Sequence, residues 1–315
     1  MKKYNTSIEI LEIDEIENRE IIILHKLNEV IDLQDYLNNL NERCNNDSII
    51  YLFAYTLENW RLKNHKKLIF PVLGFFYKLF CFVSFRVLPR YFNSKILIKT
   101  FSLKNRTLMS KAELMGRLTL AGFEILEVTI ENFEHRFLVK KKKPSIIKKV
   151  GTGFLIKLQR VGKNGKLFNV YKFRTMHPYS EFIHSYMIVQ NGFSEKGKIK
   201  NDFRATKWAR ILRKYWIDEI PQIINILKGD MKLIGLRPVS KSYLESLPVE
   251  LIEARNKFKP GCIPPYLSLN KSSSIGEVIY SEKKYLTEFE KNKWIDVKYF
   301  FLAVYNIIFK NKRSS

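Results

Sequence analysis

Two adjacent carboxylates, Asp218 and Glu219, stand between basic residues, with Arg213 and Lys214 before them and Arg237 after them. A carboxylate can attack phosphorus only where positive groups hold the two anions together. One carboxylate of such a pair can then act as a nucleophile and form an acyl phosphate, while the other supports Mg²⁺. The pair therefore predicts phosphate chemistry, with ordinary capping of a helix by acidic residues as the competing interpretation.

A second group of cations lies within residues 158–176, LQRVGKNGKLFNVYKFRTM. Asn164 and Gly165 favour a tight turn, so the segment is predicted to be a β-hairpin. The alternation of side chains along a strand predicts Lys172 and Arg174 on one face. If the hairpin packs against the core, four cations gather near one anion: Lys157, Arg160, Lys172 and Arg174. A solvated basic hairpin is the alternative.

Helices and a strand are predicted to position the carboxylate pair. Apolar residues at helical spacing predict a helix over residues 208–215. Asp218 is a favourable N-cap and Pro221 is tolerated in a first turn, so a second helix is predicted to start at Asp218 and to end at Lys228–Gly229. Residues 231–235 are predicted to form a buried strand that delivers Arg237 and Pro238.

Composition restricts the partners of the chain. Its 315 residues carry 55 Lys and Arg against 31 Asp and Glu, and the net charge of +24 implies an anionic partner: nucleic acid, acidic lipid or a phosphorylated substrate. The three cysteines, Cys44, Cys81 and Cys262, form no CxxC pair, which indicates a reduced setting without structural zinc. No apolar run follows the basic start, so we expect a cytoplasmic polypeptide.

The predicted fold class is α/β (α+β), in two domains. Residues 1–143 are predicted to form a smaller N-terminal α/β domain, with a strand and a helix within residues 6–50, a capping box at Ser110–Glu113, and strands at residues 123–130 and 135–140. The basic run Lys140–Lys143, followed by Pro144 and by Lys148–Lys149, predicts a linker, either a solvated tether or a segment attracted to an anionic membrane surface. Residues 144–315 are predicted to be a compact, helix-rich catalytic domain with a β-hairpin and short strands.

Two apolar segments bear on membrane contact. Residues 68–85 contain one charge, Lys78, and together with the flank to residue 88 they predict a re-entrant or interfacial helix, with a buried core helix as the alternative. Near the C-terminus, residues 294–309 place an apolar stripe at helical spacing: Val297, Phe300, Phe301, Val304, Ile307 and Ile308. This stripe is interpreted as core packing, with an interfacial helix as the alternative.

Residues 150–310 resemble the bacterial sugar transferases, or monotopic phosphoglycosyl transferases. The resemblance rests on RVGKNGKLFNVYKFRTM at residues 160–176, LRKYWIDEIPQIINILKGDMKLIGLRP at residues 212–238 and KPG at residues 259–261, in the family's order. It implies Asp218 as nucleophile and Glu219 as its partner and Mg²⁺ ligand. The residues that it implies as phosphate-binding are Lys172, Arg213, Arg237 and Pro238, with Arg160 and Arg174 as further members.

The resemblance implies a reaction and a location. Sugar-1-phosphate passes from a UDP-sugar to undecaprenyl phosphate through a phosphosugar on Asp218, releasing UMP and initiating exopolysaccharide, capsule, O-antigen or glycoprotein glycan synthesis. The enzyme is expected at the anionic cytoplasmic face of the bacterial inner membrane, as a monotopic or peripheral protein, with no nucleic-acid partner. The alternatives are a catalytically degenerate family member and a basic protein that binds membranes or nucleic acid.

Two segments depart from the family pattern. Residues 140–157, KKKKPSIIKKVGTGFLIK, stand where relatives usually have a long apolar re-entrant helix, and residues 68–85 are predicted to substitute for it in contacting lipid. After KPG, the run CIPPYLSL replaces a segment that contains glycine and glutamine in relatives, so sugar or nucleotide selection is expected to differ here.

Overall fold

The computed structural model describes residues 10–12, 20–30, 32–64, 108–148, 150–193, 199–206 and 208–310. These residues form two compact units. Unit 1 contains the described residues up to Gly153 together with Met176–Arg204, and unit 2 contains Phe154–Thr175 and the described residues from Ala205 onward. Both units combine helices with strands, in agreement with the predicted α/β class. The domain boundary at residues 143 and 144 stays a prediction.

Unit 1 is built on a five-stranded sheet in the order β1-β2-β3-β5-β4. The strands are β1 (Ile10–Glu12), β2 (Glu20–Lys26), β3 (Ile49–Ala54), β4 (Phe123–Glu131) and β5 (Glu134–Lys141). Strands β2 and β3 are parallel and the other pairs are antiparallel. The strands predicted at residues 123–130 and 135–140 are confirmed. Lys140 and Lys141, assigned from sequence to a linker, extend β5 because they pair with Ile49 and Phe123.

Among the described residues, four helices accompany this sheet: α1 (Leu33–Arg43), α2 (Leu57–Asn64), α3 (Lys111–Leu120) and α4 (His184–Asn191). The predicted cap of α3 is confirmed, since Ser110 Oγ accepts a hydrogen bond of 3.2 Å from the backbone N–H of Glu113. Fully buried aliphatic and aromatic residues of the helices and strands form one core, including Leu37, Ile50, Leu52, Leu114, Leu118 and Phe137. Burying each such side chain contributes roughly 1.5–3 kcal/mol.

Unit 2 begins with the predicted hairpin. Its strands β6 (Leu155–Val161) and β7 (Leu167–Phe173) are antiparallel, and the turn between them has positive φ at Asn164 (56°) and Gly165 (71°). The turn prediction is confirmed. The later strands are β8 (Lys232–Ile234) and β9 (Gly261–Ile263). The helices are α5 (Ala209–Lys214), α6 (Ile223–Leu227), α7 (Lys241–Glu245), α8 (Val249–Lys257), α9 (Pro265–Ser268), α10 (Ile275–Lys291) and α11 (Ile295–Phe309).

Strands β8 and β9 lie parallel beside the core of unit 2. That core consists of Ile234, Leu236, Leu247, Leu251, Tyr285, Leu286 and Tyr299. The chain at the end of β8 and the start of β9 approach closely at a pair of glycines, Gly235 and Gly261. A Cβ atom on Gly261 would lie only 2.1 Å from the backbone nitrogen of Gly235, so the approach requires glycine there. This contact fixes the start of the loop that carries Arg237.

Helix α11 differs from the sequence interpretation. Its buried residues are Tyr299, Ala303 and Asn306. The interpretation of the predicted stripe as core packing is wrong for its members Val297, Phe301 and Ile308, which are exposed. We define the outer face of α11 by its exposed apolar residues: Trp294, Val297, Phe301, Leu302, Tyr305, Ile308 and Phe309.

Within the described ranges, no helix combines the length and the hydropathy required to cross a membrane. The apolar segment at residues 68–88 lies outside the described residues, and its interfacial role stays a prediction.

Candidate active site

The two carboxylates lie in a short 3₁₀ turn, Ile217–Gln222, which continues directly into α6. The prediction that Asp218 caps an α-helix is wrong, because the preceding Trp216 starts the turn and Asp218 lies inside it. Trp216 adopts a left-handed conformation, with φ 59° and ψ 15°, and its carbonyl accepts a bond of 3.1 Å from the N–H of Glu219. That conformation costs a bulky residue about 1–2 kcal/mol, so the surrounding structure must impose it.

Lys172 on β7 joins the two carboxylates. Its Nζ donates a hydrogen bond of 2.7 Å to Glu219 Oε1 and lies 3.8 Å from Asp218 Oδ2. Gln222 Nε2 donates a bond of 2.8 Å to the other oxygen, Glu219 Oε2. Both oxygens of Glu219 are thus held in place, whereas Asp218 interacts with Lys172 mainly through charge.

Burial raises the pKa of Asp218 above its ordinary value, and the neighbouring Glu219 adds to the rise. The positive charges of Lys172 and Arg213 oppose it. Asp218 is only 8% exposed, so its anion loses most of its contact with water. Lys172 and Arg213 provide positive charge that partly replaces this hydration. A desolvated carboxylate next to fixed cations has the properties of a nucleophile directed at an anionic substrate.

Arg213 lies in the last turn of helix α5, shortly before the turn that carries the carboxylates. Its guanidinium donates to Thr175 Oγ1 from Nη2 at 2.8 Å and from Nε at 3.2 Å. Thr175 follows β7, so the hairpin and α5 are connected through this pair. The effect of Arg213 on the pKa of Asp218 supports the predicted meeting of this cation with the carboxylate pair.

A cleft of about 390 Å³ opens beside Glu219. Of the residues predicted to form the site, five line it: Arg160, Lys172, Glu219, Arg237 and Pro238. Glu282 also belongs to the lining, together with apolar or weakly polar residues such as Leu158, Val170, Tyr243, Cys262 and Tyr266. A volume of this size accommodates a small-molecule ligand.

Arg160 and Arg237 provide the cationic part of this lining together with Lys172. Burial lowers the pKa of Arg160, and the positive charge of Arg237 lowers it further, so the two guanidinium groups repel one another. A ligand with several negative charges would relieve that repulsion.

Four of the residues predicted to form the site lie outside the lining of the cleft: Asp218, Lys157, Arg174 and Arg213. Asp218 adjoins the lining through Glu219 and Lys172. Strand β7 ends at Phe173, so the alternation argument does not extend to Arg174, whose backbone N–H instead bonds to the carbonyl of Phe154 at 2.6 Å.

Asn225 and Gln222 were not identified from sequence. Asn225 is completely buried, accepts a bond of 3.1 Å from the N–H of Tyr171 and donates one of 2.7 Å to the carbonyl of Asn169. Asn225 therefore connects α6 to β7 through these hydrogen bonds and fixes the distance between the carboxylate pair and Lys172. The available signal was the position of two amides within the apolar run IPQIINIL, where they interrupt aliphatic residues.

Cys262, also not identified from sequence, lies on β9 in the lining of the cleft. Burial raises the pKa of its thiol to about 12, with a further contribution from the charge of Glu219. The side chain is therefore a neutral thiol near the carboxylates at physiological pH.

The donor set at the turn is compatible with Mg²⁺. In phosphoryl-transfer sites this ion usually takes one or two protein carboxylates and completes its shell with water and substrate phosphates. Asp218 and Glu219 supply such carboxylates at the edge of the cleft. Across the described residues there is no group of three or more His, Cys, Asp or Glu side chains able to hold a metal.

Comparison with known proteins identifies relatives that match part of this chain. Galactosyl transferase CpsE of Streptococcus agalactiae serotype III is 34% identical over 161 residues, 50% of this chain and 35% of that protein. Undecaprenyl-phosphate galactose phosphotransferase of Salmonella typhimurium is 45% identical over 92 residues, 28% of this chain and 19% of that protein. The uncharacterized sugar transferase EpsL of Bacillus subtilis is 36% identical over 155 residues, 49% of this chain and 66% of that protein.

The chain thus spans less than two thirds of the length of each of these relatives. The family match falls on the part of the sequence that contains the cleft. The model of the family described as "Bacterial sugar transferase" matches residues 145–310, just over half of the chain, and the chain therefore belongs to the bacterial sugar transferase family.

Proposed function

We propose that this protein transfers a sugar-1-phosphate from a UDP-sugar to undecaprenyl phosphate through a covalent phosphosugar on Asp218. The observation that carries the proposal is the buried group of Lys172, Asp218 and Glu219 at the edge of a cleft that also contains Arg160 and Arg237. The names of the relatives from Streptococcus and Salmonella support a sugar transferase and a polyprenyl phosphate acceptor.

In the first half-reaction, a carboxylate oxygen of Asp218 attacks the phosphorus atom that bears the sugar. The bond from this phosphorus to the oxygen of UMP breaks, and UMP leaves with the electron pair. Lys172, Arg160 and Arg237 bind the phosphate oxygens and offset the negative charge that the attack brings together. Bound Mg²⁺, held by Glu219 with Asp218 beside it, would supply further charge neutralisation of the phosphates.

In the second half-reaction, a phosphate oxygen of undecaprenyl phosphate attacks the same phosphorus atom. The bond to Asp218 breaks, which regenerates the carboxylate and releases the polyprenyl diphosphosugar. Gln222 and Lys172 keep Glu219 in one orientation during both steps. Asn225 holds the helix and the hairpin at constant separation.

The acceptor is a membrane lipid, so the enzyme is proposed to work on the anionic cytoplasmic face of the bacterial inner membrane. The outer face of α11 supports this location, because Trp294 is 80% exposed, Phe301 65% and Phe309 71%. Exposed lysines accompany these residues, namely Lys291, Lys293, Lys298 and Lys310, and no acidic residue follows Asp296. Apolar contact combined with basic residues is typical of helices that lie in the interface of a bilayer.

UMP release tests the reaction. Full-length protein is incubated with Mg²⁺, a panel of UDP-sugars and undecaprenyl phosphate, and Asp218→Asn is compared with the matched variant Asp230→Asn, twelve positions along the chain. We expect release from the wild type and from Asp230→Asn, and none from Asp218→Asn. Intact-mass measurement without acceptor should detect a phosphosugar adduct on the wild type and on Asp230→Asn, and none on Asp218→Asn.

Equal UMP release by the wild type and by Asp218→Asn would remove Asp218 from the mechanism. A folded wild type that binds UDP but releases no UMP would indicate a degenerate family member. Binding of nucleic acid that weakens steeply with salt and does not depend on Asp218 would favour the basic binding protein.

A further inference from the structure

We propose that Arg255 and Glu282 form a positioning pair that holds the main chain of Arg237. The pair thereby keeps the guanidinium of Arg237 facing the diphosphate of the donor. The proposal rests on the proposed function, since it concerns the same cleft. It assigns a role to two charged residues that neither attack the substrate nor belong to the motifs that identify the family here.

The geometry starts at Arg255 on α8. Its Nη1 forms an ion pair with Glu282 Oε2 of α10, and its Nη2 donates a hydrogen bond to the carbonyl oxygen of Arg237. Both side chains are deeply buried, with 7% of Arg255 and 2% of Glu282 exposed. One guanidinium thus connects two helices to the loop that carries a cation of the cleft.

The loop from Leu236 to Val239 is anchored at three successive points. The N–H of Gly261 donates to the carbonyl of Leu236 at 2.8 Å, and the N–H of Val161 donates to the carbonyl of Val239 at 3.0 Å. Between these main-chain bonds, the carbonyl of Arg237 is held by the side chain of Arg255. The orientation of this peptide therefore depends on the buried pair.

Such a pair is not required for stability alone. A buried ion pair loses the hydration of both charges, and replacing it with apolar residues of similar volume is often neutral or stabilising. Burial raises the pKa of Glu282 and Arg255 opposes the rise, as expected for a carboxylate whose charge depends on one partner. Glu282 also lines the cleft with Arg160 and Arg237, which connects the pair to the cations of the site.

The experiment compares Arg255→Met with the matched control Lys257→Met, an exposed residue on the same helix. Arg255→Met leaves the carboxylate of Glu282 buried without its partner and can impair folding, so the double variant Arg255→Met, Glu282→Leu is made as well. Kinetics of UMP release give KM and kcat separately, calorimetry gives the affinity for UDP as a probe, and thermal unfolding confirms folding.

We expect a folded double variant with KM for the UDP-sugar and Kd for UDP raised about tenfold, and kcat within about threefold of the wild type. The effect should disappear when Arg237 is already Ala, because a positioning residue has nothing left to position. Residues that act through one another give non-additive effects in such a cycle, whereas independent residues give additive ones.

Unchanged KM and Kd in the folded double variant would overturn the proposal, as would an equal tenfold loss in the Arg237→Ala background. Failure of the proposed function is a separate outcome. A wild type that binds UDP without releasing UMP would contradict the reaction, and the Kd comparison would still decide the role of Arg255 and Glu282.

Discussion

The cleft and the outer face of α11 differ from the usual distribution of residues in opposite ways. The cleft shields charged side chains from solvent, and the outer face of α11 exposes apolar ones. Five charged side chains line the cleft: Arg160, Lys172, Glu219, Arg237 and Glu282. Glu219 and Glu282 are buried, and the other three are only partly exposed. On the outer face of α11, by contrast, seven apolar residues are exposed to solvent. Each arrangement is unfavourable for an isolated protein in water, because charges lose hydration and apolar surface remains wet.

The difference matches the two kinds of partner that the proposed function requires. Buried cations become favourable when a phosphorylated ligand supplies the opposite charge. Exposed apolar residues next to lysines become favourable when an anionic bilayer covers them. The proposed donor is soluble and multiply charged and the proposed acceptor is a lipid, so the proposed reaction would use both surfaces. The following substitutions test each surface separately.

The largest effect is expected at Lys172, which contacts Glu219 and approaches Asp218. Lys172→Met should lower kcat/KM for UMP release by about 10²–10³, the usual loss when one group that stabilises developing charge is removed. The acidic limb of the pH profile should also move to higher pH, because Lys172 lowers the pKa of Asp218. Lys166→Met, in the exposed turn of the same hairpin, is the control and should retain activity. Wild-type kinetics in Lys172→Met would show that this cation does not contribute to the reaction.

An intermediate effect is expected on the outer face of α11. Phe301→Asp combined with Ile308→Asp should weaken binding to vesicles that contain anionic lipid by about tenfold or more, since two apolar contacts are lost and two negative charges are added. Both positions are more than half exposed, at 65% and 62%, so folding should be retained.

Vesicle cosedimentation measures this effect, and Val249→Asp, at another exposed apolar position of the same unit, serves as the control. Activity toward a water-soluble acceptor analogue should survive the double substitution. If the double variant binds vesicles as the wild type does, the membrane assignment of this face is incorrect.

The smallest effect is expected in stability. The pKa of Asp218 is raised in the folded protein above its ordinary value of 3.8, so folding favours the protonated form. This contribution to stability is complete below the unfolded pKa and is lost as pH rises through the folded pKa. At neutral pH, Asp218→Asn should therefore unfold at a higher temperature than the wild type.

The difference in unfolding temperature between Asp218→Asn and the wild type should shrink toward zero as the pH falls below 3.8. Melting curves recorded across that range measure it. A constant difference at all pH values would show that the charge of Asp218 does not contribute to it.

The hairpin and the carboxylate turn differ in how well the sequence predicted their local structure. Asn164–Gly165 identified the hairpin turn because few residues tolerate positive φ, and that preference is local. The N-cap assignment at Asp218 failed, since the left-handed conformation of Trp216 is imposed by neighbouring structure. Asn225 was missed because its partners, Tyr171 and Asn169, are distant in sequence.

The sequence by itself determined the family, the carboxylate pair and the presence of nearby cations, because these depend on residue types at fixed short spacing. The tertiary structure decided which cations line the cleft with Glu219, how Arg255 and Glu282 hold the loop of Arg237, and which face of α11 is exposed. Those properties depend on contacts between residues far apart in the chain, and spacing along a sequence does not specify the distances that burial and charge interactions require.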